Sequence, residues 1–224
     1  MKKAFLFFLF CALLSAGCNN NNKIDITPHQ VDENADIFFQ HAVVLIDAYF
    51  DVDSTKKAIE LLDKAISIDE MNPDYYGTKA KLLAEMGLLD SALNVQSHAN
   101  SIDAINGEYL LQLGLFQAAK GYSEQSVVSF KRSNDYLNQV LKVYPDSLGA
   151  FINQQAANAL YYGNDSLFMD DLKAIRKRFP DHLIEIEMAR RLKPQKLIQQ
   201  IKKIEMDAIN DMISEIDREM FNND

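Results

Sequence analysis

The chain contains no tryptophan, only two cysteines, five prolines and eight glycines among 224 residues. Cys11 lies inside an apolar N-terminal run and Cys18 directly follows it. Loss of that run as a leader would leave no thiol free for a disulfide, a thiolate zinc site or a nucleophile. The four histidines, His29, His41, His98 and His182, are scattered, with no paired helical spacing of the kind that binds zinc. No glycine-rich phosphate loop and no nucleophile elbow is present. The run Asp51-Val52-Asp53-Ser54-Thr55 opens like a calcium loop but lacks the glycine and distal glutamate such a loop needs, so it is read as a helix-terminal turn. The adjacent acids Asp69-Glu70 and Asp170-Asp171 diverge on a helix and cannot face each other across a substrate. Basic residues are also short, 23 against 32 acidic ones, for a net charge of −9. A nucleic-acid surface requires the opposite sign. The sequence therefore points to no catalytic residue, no metal ligand and no cofactor, and the protein is not read as an enzyme.

What is present begins with an address. Lys2 and Lys3 precede an apolar run over residues 4–14, too short for the roughly 20 residues that span a bilayer and suited to a secretory leader. The segment Leu14-Ser15-Ala16-Gly17-Cys18 resembles the lipobox of bacterial lipoproteins. That resemblance implies a signal peptide over 1–17, cleavage before Cys18, and acylation of Cys18 by chains such as palmitate. The alternative is an ordinary signal peptide in which Cys18 is incidental. Several acyl chains make a durable anchor where a single one is marginal. Asn19 is not the Asp associated with inner-membrane retention, so the expected place is the periplasmic face of the outer membrane. Residues 18–35 open with the lipidated Cys and four Asn, contain Pro28 and lack apolar periodicity. They are expected to form a flexible tether reaching about 23 Å.

From residue 58 the chain repeats itself every 34 residues: Ala58-Ile59 with Ala92-Leu93, Ala65 with Ala99, Ile68-Asp69 with Ile102-Asp103, Gly87 with Gly121, and Ala99 with Ser133. A fixed period of this size marks a stack of helix pairs. In the clearest unit, 73–106, Asn72 and Pro73 supply an N-cap and a first helical residue, Gly87 a stop, and Asp90 a cap for the second helix. These units resemble the tetratricopeptide repeat (TPR). Its characteristic positions read Tyr76, Lys79-Ala80, Leu83, Ala92, Gln96, Ala99 and Ala104 in that unit. They read Leu110, Leu113-Gly114, Gln117, Ser126, Phe130 and Ser133 in the next, and Ala42, Leu45-Ile46, Tyr49, Ala58, Leu62 and Ala65 upstream. A fourth, weaker unit over 149–180 carries Ala156, Gly163 and Leu172.

The resemblance implies an all-α, TPR-like α-solenoid of about four helix pairs over 36–180. Residues 181–224 are expected to form a C-terminal helical cap, with a long last helix from Pro194 to about Phe221. Its apolar positions are Leu197, Ile201, Ile204, Ala208, Met212, Ile216 and Met220. Capping the last exposed face of the array is the first reading; a docking surface or a dimer seam is the other. The first half of this helix is basic and the second acidic, opposite to what the helix dipole prefers.

Carried over by register, the concave groove of the family would be lined by Val43, Asp47, Phe50 and Asp51, then Asp74, Lys81 and Glu85. Glu108, Leu111 and Leu115 follow, and then Asn153, Ala157 and Tyr161. The Lys/Asn clamp of the chaperone-binding TPR proteins is absent, because those positions hold Val43 and Asp47, Gly77 and Lys81, and Leu111 and Leu115. The groove is thus expected to take an extended or helical segment of a neutral or basic protein, with no nucleic acid and no small-molecule substrate implied. The expected role is a membrane-anchored adaptor or assembly subunit of a cell-envelope complex. The alternatives are an immunity protein that masks a secreted toxin, or the regulatory subunit of an envelope enzyme.

Overall fold

A computed structural model describes residues 29–48, 51–191 and 193–221. The leader, Cys18, most of the expected tether, Tyr49 and Phe50 lie outside the described residues, as does the side chain of Asp47. Among the described residues ten helices follow one another: α1 Glu33–Ala48, α2 Val52–Ile68, α3 Pro73–Glu85, α4 Leu89–Ile102, α5 Gly107–Ala119, α6 Ser123–Val143, α7 Leu148–Tyr161, α8 Asp165–Arg178, α9 Leu183–Arg191 and α10 Pro194–Phe221. Among the described residues there is no strand. The first eight helices pair as α1/α2, α3/α4, α5/α6 and α7/α8, and each pair packs on the next, an all-α, TPR-like solenoid.

Local chemistry sets most of these boundaries. Asn72, Asn106, Ser147 and Asn164 each accept a bond from a backbone N–H in the first turn of the helix that follows. Gly87, Gly121 and Gly163 end the first helices of units two to four with φ of 80°, 84° and 65°. At each, the next residue donates back to a carbonyl five residues earlier: Leu88 to Leu83, Tyr122 to Gln117, Asn164 to Ala159. This is a Schellman ending, and it needs a residue that tolerates positive φ. Because that turn carries the chain straight into α4 and α6, Leu88 and Tyr122 sit at their starts without a side-chain cap. Asp90 therefore falls inside the first turn of α4, correcting its expected capping role, and its carboxylate pairs with Lys120 at 2.9 Å.

Buried small residues let the helices approach: Ala58, Ala65, Ala80, Ala92 and Ala99 are fully enclosed. Polar side chains then stitch unit to unit. Gln112 Nε2 donates to the Gly77 carbonyl at 2.9 Å and Gln96 Nε2 to the Tyr109 carbonyl at 3.2 Å, while within unit three Ser133 Oγ donates to the Gly107 carbonyl at 2.6 Å. Arg132 and Arg178 repeat one device, donating to the carbonyls of Ala104 and Pro145 in the preceding inter-unit turns.

Two boundaries differ from expectation. The helical array begins before residue 36: α1 starts at Glu33, Ala35 is in the core, and His29 Nε2 lies 2.6 Å from Asp69 Oδ1. The C-terminal region does not simply cover the last face. Nine-residue α9 packs on α8, and the chain then turns so that α10 runs back across α7, α5 and α3. At its start the Gln195 N–H donates to Asp165 Oδ1 at 3.0 Å, at the first residue of α8. Further on, Glu205 accepts from Lys120 at 2.9 Å in the α5–α6 turn, and Ala208 meets Gly87 in the α3–α4 turn. The long helix is a strap across the first helices of three units.

Candidate functional site

The surface at issue is the one formed by α3, α5 and α7, where the family places its groove, and α10 fills one side of it. Leu111 and Leu115 on α5 and Ala156 and Leu160 on α7 face Pro194 and Leu197 across a small apolar gap, with Phe168 of α8 behind. Leu111, Leu115, Leu197 and Ile201 all fall at or below 2% exposure. Leu111 and Leu115, expected as open groove residues, are therefore covered by the chain's own last helix. Burial of such a side chain stabilises by about 1.5–3 kcal/mol, which is why an apolar stripe on α10 and an apolar wall on α5/α7 find each other. Gly87 makes the crossing possible at the far end. A Cβ built there would stand 2.4 Å from the Ala208 Cβ and 3.0 Å from the Ile204 carbonyl oxygen.

The other side of the groove is polar. Tyr109 donates its hydroxyl to Asp74, and burial followed by that carboxylate raises the phenol well above its usual range. Asn153, fully buried, donates Nδ2 to Glu108 Oε1 at 3.3 Å, while its Oδ1 has no partner among the described residues. Burial pushes the Glu108 carboxyl up to about 7 and that of Glu85 up to about 8, with Lys81 opposing both shifts. The strip is thus less anionic at neutral pH than a count of carboxylates suggests. Lys120 binds both Glu205 and Asp90 at 2.9 Å, and these two partners, Glu205 first, raise its ammonium above the usual range.

Asp74, Lys81, Glu85, Glu108 and Asn153 are thus gathered on adjoining first helices, while other expected groove residues are not. Val43 is half-buried on α1. Asp51 is the N-cap of α2, accepting from the Ser54 N–H at 2.8 Å, because the turn in unit one comes earlier than in the later units. Its run is a helix-terminal turn, as its sequence suggests. In the fourth unit α7 is one residue longer than α3 and α5, which moves the register: Ala156 and Leu160 face the groove, Ala157 is buried in the core, and Tyr161 stacks edge-on against Tyr162 at 4.8 Å between centroids. Sequence reasoning missed Gly87, Lys120 and Leu160. The only signal for Gly87 was its glycine at the turn, which the Schellman ending already explains.

Among the described residues no group of three His, Cys, Asp or Glu is placed to hold a metal ion, and no helix is long and apolar enough to cross a membrane. What the arrangement does chemically is hold a helix: α10 lies in the groove as a ligand supplied by the same chain. No protein-family model matches the sequence. The chain is 28% identical over 119 residues to a TPR repeat-containing protein of Methanocaldococcus jannaschii, across 53% of this chain and 19% of that protein's length. It thus spans about a fifth of the relative it matches. This distant, partial likeness to a TPR repeat-containing protein agrees with the TPR-like helical array.

Proposed function

We propose that the protein is a membrane-anchored TPR scaffold, an adaptor or assembly subunit of a cell-envelope complex, held through acylated Cys18 at the periplasmic face of the outer membrane. The lipobox-like run 14–18 supports the anchor. One observation carries the adaptor reading: α10 seats Leu197 and Ile201 in the groove, yet leaves Met206, Ile209, Met212, Ile213 and Ile216 uncovered further along the same helix. A helix clamped to the array at one end and apolar in solvent at the other is suited to joining the array to another protein.

The test pairs fractionation with crosslinking. Cys18→Ser should move the protein from the membrane to the soluble fraction and abolish labelling by a palmitate analogue. In-cell crosslinking of the wild-type protein should return a stoichiometric protein partner. A Cys18→Ser variant that stays with the membrane sinks the anchor, and crosslinking that recovers only lipid or glycan sinks the adaptor.

A further inference from the structure

We propose that the uncovered half of α10, centred on Ile209, Ile213 and Ile216, is the docking face for a basic amphipathic helix of another protein; this deepens the adaptor reading and rests on it. The first half of α10 spends its apolar stripe in the groove: Leu197 and Ile201 are buried, and Ile204 and Ala208 are half-buried. From Ala208 the apolar positions advance in steps of four, to Met212 and Ile216. Each such step overshoots a helical turn by about 40°. By Ile216 the stripe has rotated about 80° away from the face that seats in the groove. Ile209, Met212, Ile213 and Ile216 stand at the i, i+3, i+4, i+7 spacing of a helix-packing face, with exposures of 43%, 56%, 50% and 48%. Single exposed apolar residues are ordinary; four on one face of a projecting helix are not. The face also continues an established interface. The half of α10 docked in the groove holds the helix already formed, so a partner does not bear the cost of nucleating it.

Charge selects the occupant. Residues 205–221 carry Glu205, Asp207, Asp211, Glu215, Asp217 and Glu219 against one basic residue, Arg218. A second copy on the same stripe would bring together two segments that each carry six acids against one base, and a parallel copy would align every acid with itself. Anionic lipid is repelled by the same residues. A helix with Lys or Arg flanking an apolar stripe complements both features.

The probe is a fluorescent synthetic helix with Leu at its core positions and Lys on its flanks, titrated into the full chain beside a scrambled peptide of the same composition. The amphipathic peptide should bind at least about tenfold more tightly than the scrambled one. An Ile209→Ser/Ile213→Ser variant should erase that difference, and Glu215→Lys, beside the stripe, should weaken binding several-fold. Both variants should keep the melting temperature, since these side chains are exposed. Equal binding by wild type and the serine variant overturns the proposal. So does a wild-type dimer in sedimentation that Ile213→Ser dissolves, which would assign the face to a second copy. A photo-crosslinking residue at 213 or 81 separates the levels of failure. A protein caught only from 81 overturns this docking face and leaves the adaptor; nothing caught from either overturns both. Capture from 213 on a segment with Lys or Arg flanking an apolar stripe supports the proposal.

Discussion

Gly87 and Gly121 occupy equivalent turns with nearly the same φ, 80° and 84°, in different surroundings. A Cβ at Gly121 would meet nothing within 4 Å, whereas at Gly87 it would strike Ala208 on α10. Gly121→Ala should therefore cost only the backbone strain, about 1 kcal/mol. Gly87→Ala should cost that and also dislodge the strap, for a total of about 2–4 kcal/mol. Urea unfolding compares the two, and limited proteolysis should cut α10 first in the Gly87 variant; equal losses would refute the contact. The buried carboxylates make a second prediction. Folding holds the proton on Glu108 up to about 7 and on Glu85 up to about 8, above their ordinary 4.5. Between those values the folded state binds more protons than the unfolded chain, so their contribution to stability falls as pH rises from about 4.5 to 8 and is level beyond. Glu85→Gln should thus leave stability unchanged near pH 4 and raise it near pH 9, by on the order of a few kcal/mol. A variant no more stable than wild type at pH 9 would show that this carboxylate is hydrated. Neither buried group was legible in the sequence, where Glu85 and Glu108 look like the other acids on the groove list.

At the scale of elements, most helices were readable before any packing was known. Asn72 with Pro73, Asn106 and the turn glycines are local devices whose energetics depend on a few neighbouring atoms. Asp90 misled because capping chemistry is the same a residue or two into the helix, and the Schellman turn leaves no room for a separate cap. The bounds of α10 agree with the reading from Pro194 to about Phe221, but its destination does not follow from its pattern. An amphipathic stripe states that one face is buried and is silent about what covers it. Ile201, 2% exposed between groove and strap, tests the observed answer. Ile201→Ala should destabilise by about 2–4 kcal/mol, with increased binding of a hydrophobic dye as Leu111 and Leu115 become wet. A change under about 0.5 kcal/mol, typical of a surface site, would place the helix elsewhere.

For the whole molecule, the strap changes how the array behaves. A plain solenoid couples each unit only to its neighbours and can unzip. Here α10 touches units two, three and four at once, so they should unfold together. Leu197→Asp, which puts a charge into the apolar gap beside Leu115 and Leu160, should broaden the denaturant transition and lower its slope as the units uncouple. An unchanged slope with only a shifted midpoint would show that the array is cooperative without the strap.

The sequence by itself determined that this is an all-α stack of helix pairs, because a 34-residue period and helix caps act through local, additive interactions. It also set Asp74 and Glu108 one 34-residue period apart, which puts them on adjoining first helices. Register failed where lengths change, at the early turn before Asp51 and in the longer α7, since one extra residue turns every later side chain by about 100°. Only the tertiary structure decided that α10 lies in the groove and not simply over its end. That choice rests on shape and burial between residues some 85 positions apart, such as Lys120 and Glu205, for which a periodic pattern carries no code.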